Sequence, residues 1–280
     1  MRRILLTLVC IGLLTATAAQ CQLVDEYNPP RSTCCLPNAV KTLADQLQDW
    51  NQLGRYHAAN VELRKQPADP GRVVFMGDSI TDGWRLADYF PDKPYVNRGI
   101  SGQTTPQMLV RMYPDVVDLK PAAMVVLAGT NDIARNTGPE TAEMIAENLM
   151  AMTDIAQRNG IKVVLCSVMP VSDYPFLTQQ SAQGGRGAAG APGAPGGGGG
   201  RGMRTRMTDQ HPPSDILKLN AWMKDYAAKV NAVYADFFSA MVDDKGWLKE
   251  GISADGLHPT ADGYKLMVPV VAAALQKALP

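Results

Sequence analysis

At 280 residues, 46% of them hydrophobic and 19% charged, the chain can bury one substantial core and has no need of a second domain. Its 27 basic and 27 acidic side chains cancel, so no net field draws it to nucleic acid or to an anionic membrane surface. Polyanion binding is excluded as a starting point.

The first residues have the layout of an export signal. Arg2 and Arg3 precede an apolar run from Ile4 to Leu14, and the small residues Ala16, Ala18 and Ala19 follow, so residues 1–19 are expected to be a removable signal peptide. The run is too short to cross a hydrocarbon core of about 30 Å at roughly 1.5 Å per residue. No stable membrane insertion is expected. Cys21 raises a lipid anchor, but Gln20 is bulky where such signals want a small residue, and release to the periplasm or exterior is the expectation. In an oxidising compartment Cys21 can pair with Cys34 or with Cys35. Neither cysteine of the vicinal pair has the further ligands a zinc site requires, so no metal is expected. Cys166, inside the apolar run from Val163, reads as a buried core thiol.

Residues 20–70 are polar and helix-like, a flank expected to pack outside the main domain, which is assigned to residues 71–280. There, short apolar runs alternate with helix-period segments. Strands are expected near 72–77, 94–97, 122–128, 161–168 and 232–236. Helix starts are signposted by Thr105-Pro106, by Pro139-Glu140 with a stop at Gly160, by Ser214 and by Thr260. The expected fold class is α/β, a three-layer α/β/α sandwich around a five-stranded parallel sheet covered on both faces. An insert over about 182–210 interrupts it, with 11 of the chain's 25 glycines between Gly184 and Gly202. Such a segment cannot bury enough apolar surface to offset its backbone entropy and is expected to be disordered, either as a shade over the substrate entrance or as a tolerated surface insertion.

In such a sheet, ligands bind beyond the carboxyl ends of the strands. The first strand runs into Gly77-Asp78-Ser79, the second into Asn97 to Gly102, and the third into Gly129-Thr130-Asn131-Asp132. Three polar loops thus meet at one edge. A serine hydroxyl there needs a base, and the base needs a third group to hold its tautomer. The chain has three histidines: His57 lies in a polar helix-like stretch and His211 precedes Pro212-Pro213, neither with an acid in a defined turn. His258 follows Asp255 across Gly256-Leu257 and precedes Pro259, a turn that brings carboxylate and imidazole within reach. Ser79, Asp255 and His258 are therefore the candidate catalytic residues. Each also has a plainer reading, Ser79 as a helix cap, Asn131 and Asp132 as an N-cap region, and His258 as a stack on Pro259. Asp78 is expected to fix the turn before Ser79 and Trp84 to pack the first helix or wall the crevice. Arg98 either lines the pocket or pairs with a carboxylate.

Gly77-Asp78-Ser79-Ile80, Ile100-Ser101-Gly102-Gln103-Thr104, Gly129-Thr130-Asn131-Asp132 and Asp255-Gly256-Leu257-His258-Pro259 resemble, in order, the four blocks of the SGNH hydrolases, or GDSL esterases and lipases. Ile80 stands where the family name has leucine. The strings from Gly77 to Trp84 and Asn97 to Thr105 are most similar to the branch of the platelet-activating-factor acetylhydrolase catalytic subunits and bacterial lysophospholipase-like esterases. The resemblance implies the flavodoxin-like SGNH hydrolase fold, Ser79 as nucleophile, His258 as base, Asp255 as its orienting acid, and an oxyanion hole from Ser79, Gly102 and Asn131. It implies no cofactor. The expected activity is that of a secreted serine esterase on short-chain, acetyl esters of small molecules or oligosaccharides. Lysophospholipids or short-chain lipid esters are the alternative substrates. A non-catalytic sugar- or phosphate-binding module of the same fold is the alternative of another class.

Overall fold

The computed structural model describes residues 48–178 and 206–279; the expected signal peptide, Cys21, Cys34, Cys35 and the Gly184 to Gly202 stretch lie outside them. Five strands form the sheet: β1 (Val73–Gly77), β2 (Tyr95–Gly99), β3 (Ala123–Leu127), β4 (Lys162–Cys166) and β5 (Val233–Ala235). All pairings are parallel, in the order β2-β1-β3-β4-β5. This is the doubly wound flavodoxin-like arrangement, a fold of the kind the sequence blocks implied. Connections leave β1 toward β2 and β3 toward β4 in opposite directions, so the order reverses between β1 and β3 and opens a crevice at their carboxyl ends. Gly77 lies level with Gly99 of β2 and Leu127 of β3, which delivers the three following loops to one edge.

β1 and β3 are buried at every position because both faces of the sheet are covered. Val74 and Met76 point to one layer, with Ile145, Leu149 and Met152 of α7 (Ala142–Arg158) and Ile216, Leu219 and Met223 of α9 (Pro213–Lys229). Val73 and Phe75 point to the other, with Trp84, Phe237 and the face Tyr264, Met267, Val271 and Leu275 of α11 (Ala261–Ala278). Thr141 caps α7 by accepting from the Met144 N–H, and Thr260 caps α11 at Gly263. α9 begins at Pro213, one residue before the expected Ser214 cap, because a proline fits the first helical position, whose N–H has no intrahelical partner.

Three local outcomes sharpen the sequence reading. The flank before β1 contains α1 (Gly54–Lys65), whose Tyr56 hydroxyl donates to the Gly99 carbonyl and whose Asn60 donates to Asp115 at 2.6 Å, so α1 braces the end of β2. Residues 206–210, assigned from sequence to the disordered insert, include the helical turn α8 (Met207–Gln210). Thr208 docks it, donating from its N–H and hydroxyl to the carboxylate of Asp173. Cys166 is fully buried at the end of β4, and burial pushes its thiol well above the ordinary range.

Candidate active site

The turn after β1 places Ser79 at the start of α2 (Ser79–Asp82), but the capping oxygen belongs to Asp78, whose Oδ1 accepts from the Ile80 N–H at 2.9 Å. Ser79 is left with its hydroxyl uncommitted to the helix. Its Oγ lies 2.9 Å from His258 Nε2, and His258 Nδ1 lies 2.6 Å from Asp255 Oδ2. Nδ1–H therefore donates to the carboxylate, and Nε2 presents its lone pair to the serine hydroxyl. Asp255 Oδ1 accepts from the N–H groups of Leu257 and His258 at 2.9 and 2.8 Å. Partial burial alone would raise Asp255, but the hydrogen bonds from the His258 ring and backbone and from Leu257 outweigh it and hold the carboxyl at about 2.

Gly256 makes this turn possible. Its φ is +89°, and a Cβ there would lie 2.1 Å from the Ser172 carbonyl oxygen. Its own carbonyl accepts from the Ser172 N–H at 2.8 Å, which docks the turn on the segment after β4.

The second loop is braced from several sides. Ser101 donates to Asp82 Oδ2 from its N–H at 3.3 Å and its hydroxyl at 2.7 Å, and Gln103 Nε2 donates to the Asn51 carbonyl at 2.9 Å. Gly102 has a φ of +81°, and nothing stands within 4 Å of where a Cβ would be. Asn131 lies in α6 (Thr130–Ile133), buried, with Nδ2 donating to the Gln103 carbonyl at 3.0 Å. That bond ties the second and third loops together. The neighbouring Asp132 Oδ1 accepts from the N–H and hydroxyl of Thr105, and burial together with the negative charge of Asp132 raises the Glu140 carboxyl to about 7.

Below these loops sits a group that sequence reasoning missed. Arg111, following α4 (Thr105–Val110), is fully buried; it donates to the carbonyls of Gly77 at 3.0 Å and Arg98 at 2.7 Å, to Gln103 Oε1 at 2.6 Å, and to Asp115 at 3.0 Å. One guanidinium thus fixes the last residue of β1 and the base of the second loop. Its spacing of four from Asp115 was a visible signal, although such pairs commonly lie on helix surfaces. Neither reading of Arg98 holds: it is buried away from the crevice, and in place of a carboxylate it donates to the Asn60 amide oxygen and the Asn97 carbonyl, with its guanidinium over the Tyr56 ring. Trp84 packs among Phe75, Phe237 and Tyr264 in the core, away from the crevice wall. His211 is buried with Nδ1 on the Met207 carbonyl, and His57 is exposed on α1.

The family model of the GDSL-like lipases and acylhydrolases matches residues 75–266, a span that begins within β1 and takes in β2 to β5 and the loops that carry Ser79, Gly102, Asn131 and His258. The chain belongs to this family. Among curated proteins it is similar to the uncharacterized lipoprotein YqeF of Bacillus subtilis, 32% identical over 35% of this chain and 49% of that protein. It is also similar to Esterase TesA of Pseudomonas aeruginosa, 32% identical over 40% of this chain and 61% of the relative. The matches thus span about half of these two relatives. Among solved structures, a GDSL-like lipase from Bacteroides thetaiotaomicron is 33% identical, with a TM-score of 0.67 over 82% of this chain and 99% of that one. Asp255 and His258 lie inside the span of the family match.

Proposed function

We propose that the protein is an exported serine esterase that hydrolyses short-chain carboxylic esters, acetyl esters of carbohydrate foremost. The observation that carries this reading is the continuous relay from Ser79 Oγ to His258 Nε2 and from His258 Nδ1 to Asp255, at 2.9 and 2.6 Å. Ser79 attacks the ester carbonyl as His258 takes its proton; the tetrahedral oxyanion is met by the N–H groups of Ser79 and Gly102 and by Asn131 Nδ2. His258 then returns the proton to the departing alcohol, and water attacks the acyl-serine through the same base. Donors fixed where negative charge develops each contribute about 3–4 kcal/mol to the transition state.

The rim argues for a polar alcohol. The side chains of His258 and Asp255 are 45% and 50% exposed, and Ser101, Gly102 and Asn136 lie open beside them, a surface suited to a hydrated sugar more than to a lipid chain. Among the described residues no helix is long and apolar enough to cross a membrane. Export is supported by the signal-like residues 1–19, and YqeF, named a lipoprotein, is in keeping with it. The test is hydrolysis of p-nitrophenyl acetate, longer p-nitrophenyl esters and an acetylated xylo-oligosaccharide by the wild type, Ser79→Ala and His258→Ala. Turnover that falls to background in both variants and declines with acyl length is expected. Long-chain preference would favour the lipid-ester alternative, and full activity in Ser79→Ala would overturn the relay and leave a binding module.

A further inference from the structure

Asn131 can serve an oxyanion only if its amide faces the right way, because a half-turn about Cβ–Cγ replaces a donor with an acceptor at the same place. Two neighbours specify the orientation. Asn131 Nδ2 donates one N–H to the Gln103 carbonyl at 3.0 Å, and Asn131 Oδ1 accepts from Asn136 Nδ2 at 2.8 Å. The second N–H of Asn131 is the one left to meet a ligand.

The backbone explains why Asn136 arrives there. α6 ends after a single turn, and Arg135 takes the left-handed conformation with φ +62°. The Asn136 N–H then bonds back to the Asn131 carbonyl at 3.0 Å and the Arg135 N–H to the Asp132 carbonyl at 2.9 Å. These are the two reverse bonds of a Schellman ending, which folds the residue after the left-handed one over the start of the helix. The side chain of Asn136 therefore lands on Asn131 and also reaches the Gly102 carbonyl, at 3.5 Å. It spans two of the three groups assigned to the oxyanion hole.

We propose that Asn136 is a positioning residue of this esterase: it clamps the Asn131 amide with its N–H toward the oxyanion. The inference rests on the oxyanion role given to Asn131 above. It predicts an unusual order of severity. Asn136→Ala removes one of two constraints, and the Gln103 carbonyl still favours the productive orientation, so kcat falls roughly 10-fold, less than the ~10²- to 10³-fold expected when the donor itself is lost in Asn131→Ala. Asn136→Asp keeps the volume but sets a carboxylate against Asn131 Oδ1, which drives the amide to turn, so its loss exceeds that of Asn136→Ala. Both variants retain KM for p-nitrophenyl acetate, which carries no sugar to touch the rim, and their melting temperatures stay close to the wild type's, since Asn136 is exposed.

The experiment is a double-mutant cycle on p-nitrophenyl acetate, with kcat and KM for Asn136→Ala, Asn136→Asp, Asn131→Ala and the two double variants. Support is a kcat loss larger for aspartate than for alanine that disappears in the Asn131→Ala background. Losses that multiply in that background, or an aspartate milder than alanine, overturn the clamp while leaving Asn131 as a donor. If Asn131→Ala alone keeps wild-type kcat, the oxyanion role falls and the clamp with it.

Discussion

Behind Ser79 the protein is dry and cross-braced, whereas around His258 it stands open to water. Asp78, Thr81, Arg98 and Arg111 are buried, and one guanidinium joins Gly77, Arg98, Gln103 and Asp115. Asp255 and His258 instead occupy a surface turn and are held chiefly by bonds within the turn itself, between Ser253 and His258. The contrast suits the proposed chemistry. The attacking oxygen and the oxyanion donors must be fixed in advance, and rigid buried elements do that. The base must exchange protons with a hydroxyl, an alcohol and water, and exposure makes that exchange direct. Damage to the two halves should therefore register in different measurements.

The largest expected effect lies in the open half. Asp255→Asn presents an amide N–H to His258 Nδ1, which forces the proton onto Nε2 and leaves no lone pair for the serine. A fall in kcat on the order of 10⁴-fold is expected from that tautomer change. The melting temperature should fall by no more than a few degrees, because Asn retains an oxygen for the Leu257 and His258 N–H groups, and the stability that the ionised carboxylate adds is reduced by its half-exposed position. A comparable loss of stability would show that the turn is a structural keystone and erase the contrast.

The dry half should behave the other way. Arg111→Met leaves the carbonyls of Gly77 and Arg98 without this donor and leaves Asp115 without its cation, so a loss of about 3–5 kcal/mol is expected in urea unfolding. A loss below about 1 kcal/mol would mean that water or relaxation replaces the guanidinium readily.

Legibility in the sequence followed the same division. Strand ends could be read because apolar runs stop abruptly at Gly77-Asp78-Ser79 and at Gly129-Thr130-Asn131, and the Asp255 turn could be read because its glycine and proline are local. Apart from the Ser79–His258 pairing, which the chemistry of a serine and its base suggests, bonds between distant segments were not legible. Arg111 and Asp115 have the spacing of a surface helix pair, and only the packing of α1 and β2 against them reveals a buried hub. Asn136 was hidden because the left-handed residue before it is Arg135, where a glycine would have announced the helix ending. Thr104 and Gln107, by contrast, form a capping box whose spacing is visible in the sequence, one residue ahead of the Thr105-Pro106 start signal.

The smallest effect concerns two carboxyls on the dry side. Burial pushes Asp78 up to about 7, and burial together with Asp132 pushes Glu140 to about 7 from an ordinary 4.5. A carboxyl raised on folding adds stability that is fully present below its unfolded value and lost as pH rises through its folded one, here between about 4.5 and 7. The melting temperature should accordingly decline as pH increases from 5 to 8. Glu140→Gln cannot ionise, while Asp78 still titrates, so the variant's decline should persist but be shallower, by on the order of 2–5 °C once the partial exposure of Glu140 is discounted. Melts at intervals across that range measure the difference. Parallel curves for wild type and variant would mean that Glu140 ionises freely in the folded protein, and that its contact with Asp132 belongs to the wet side of the molecule.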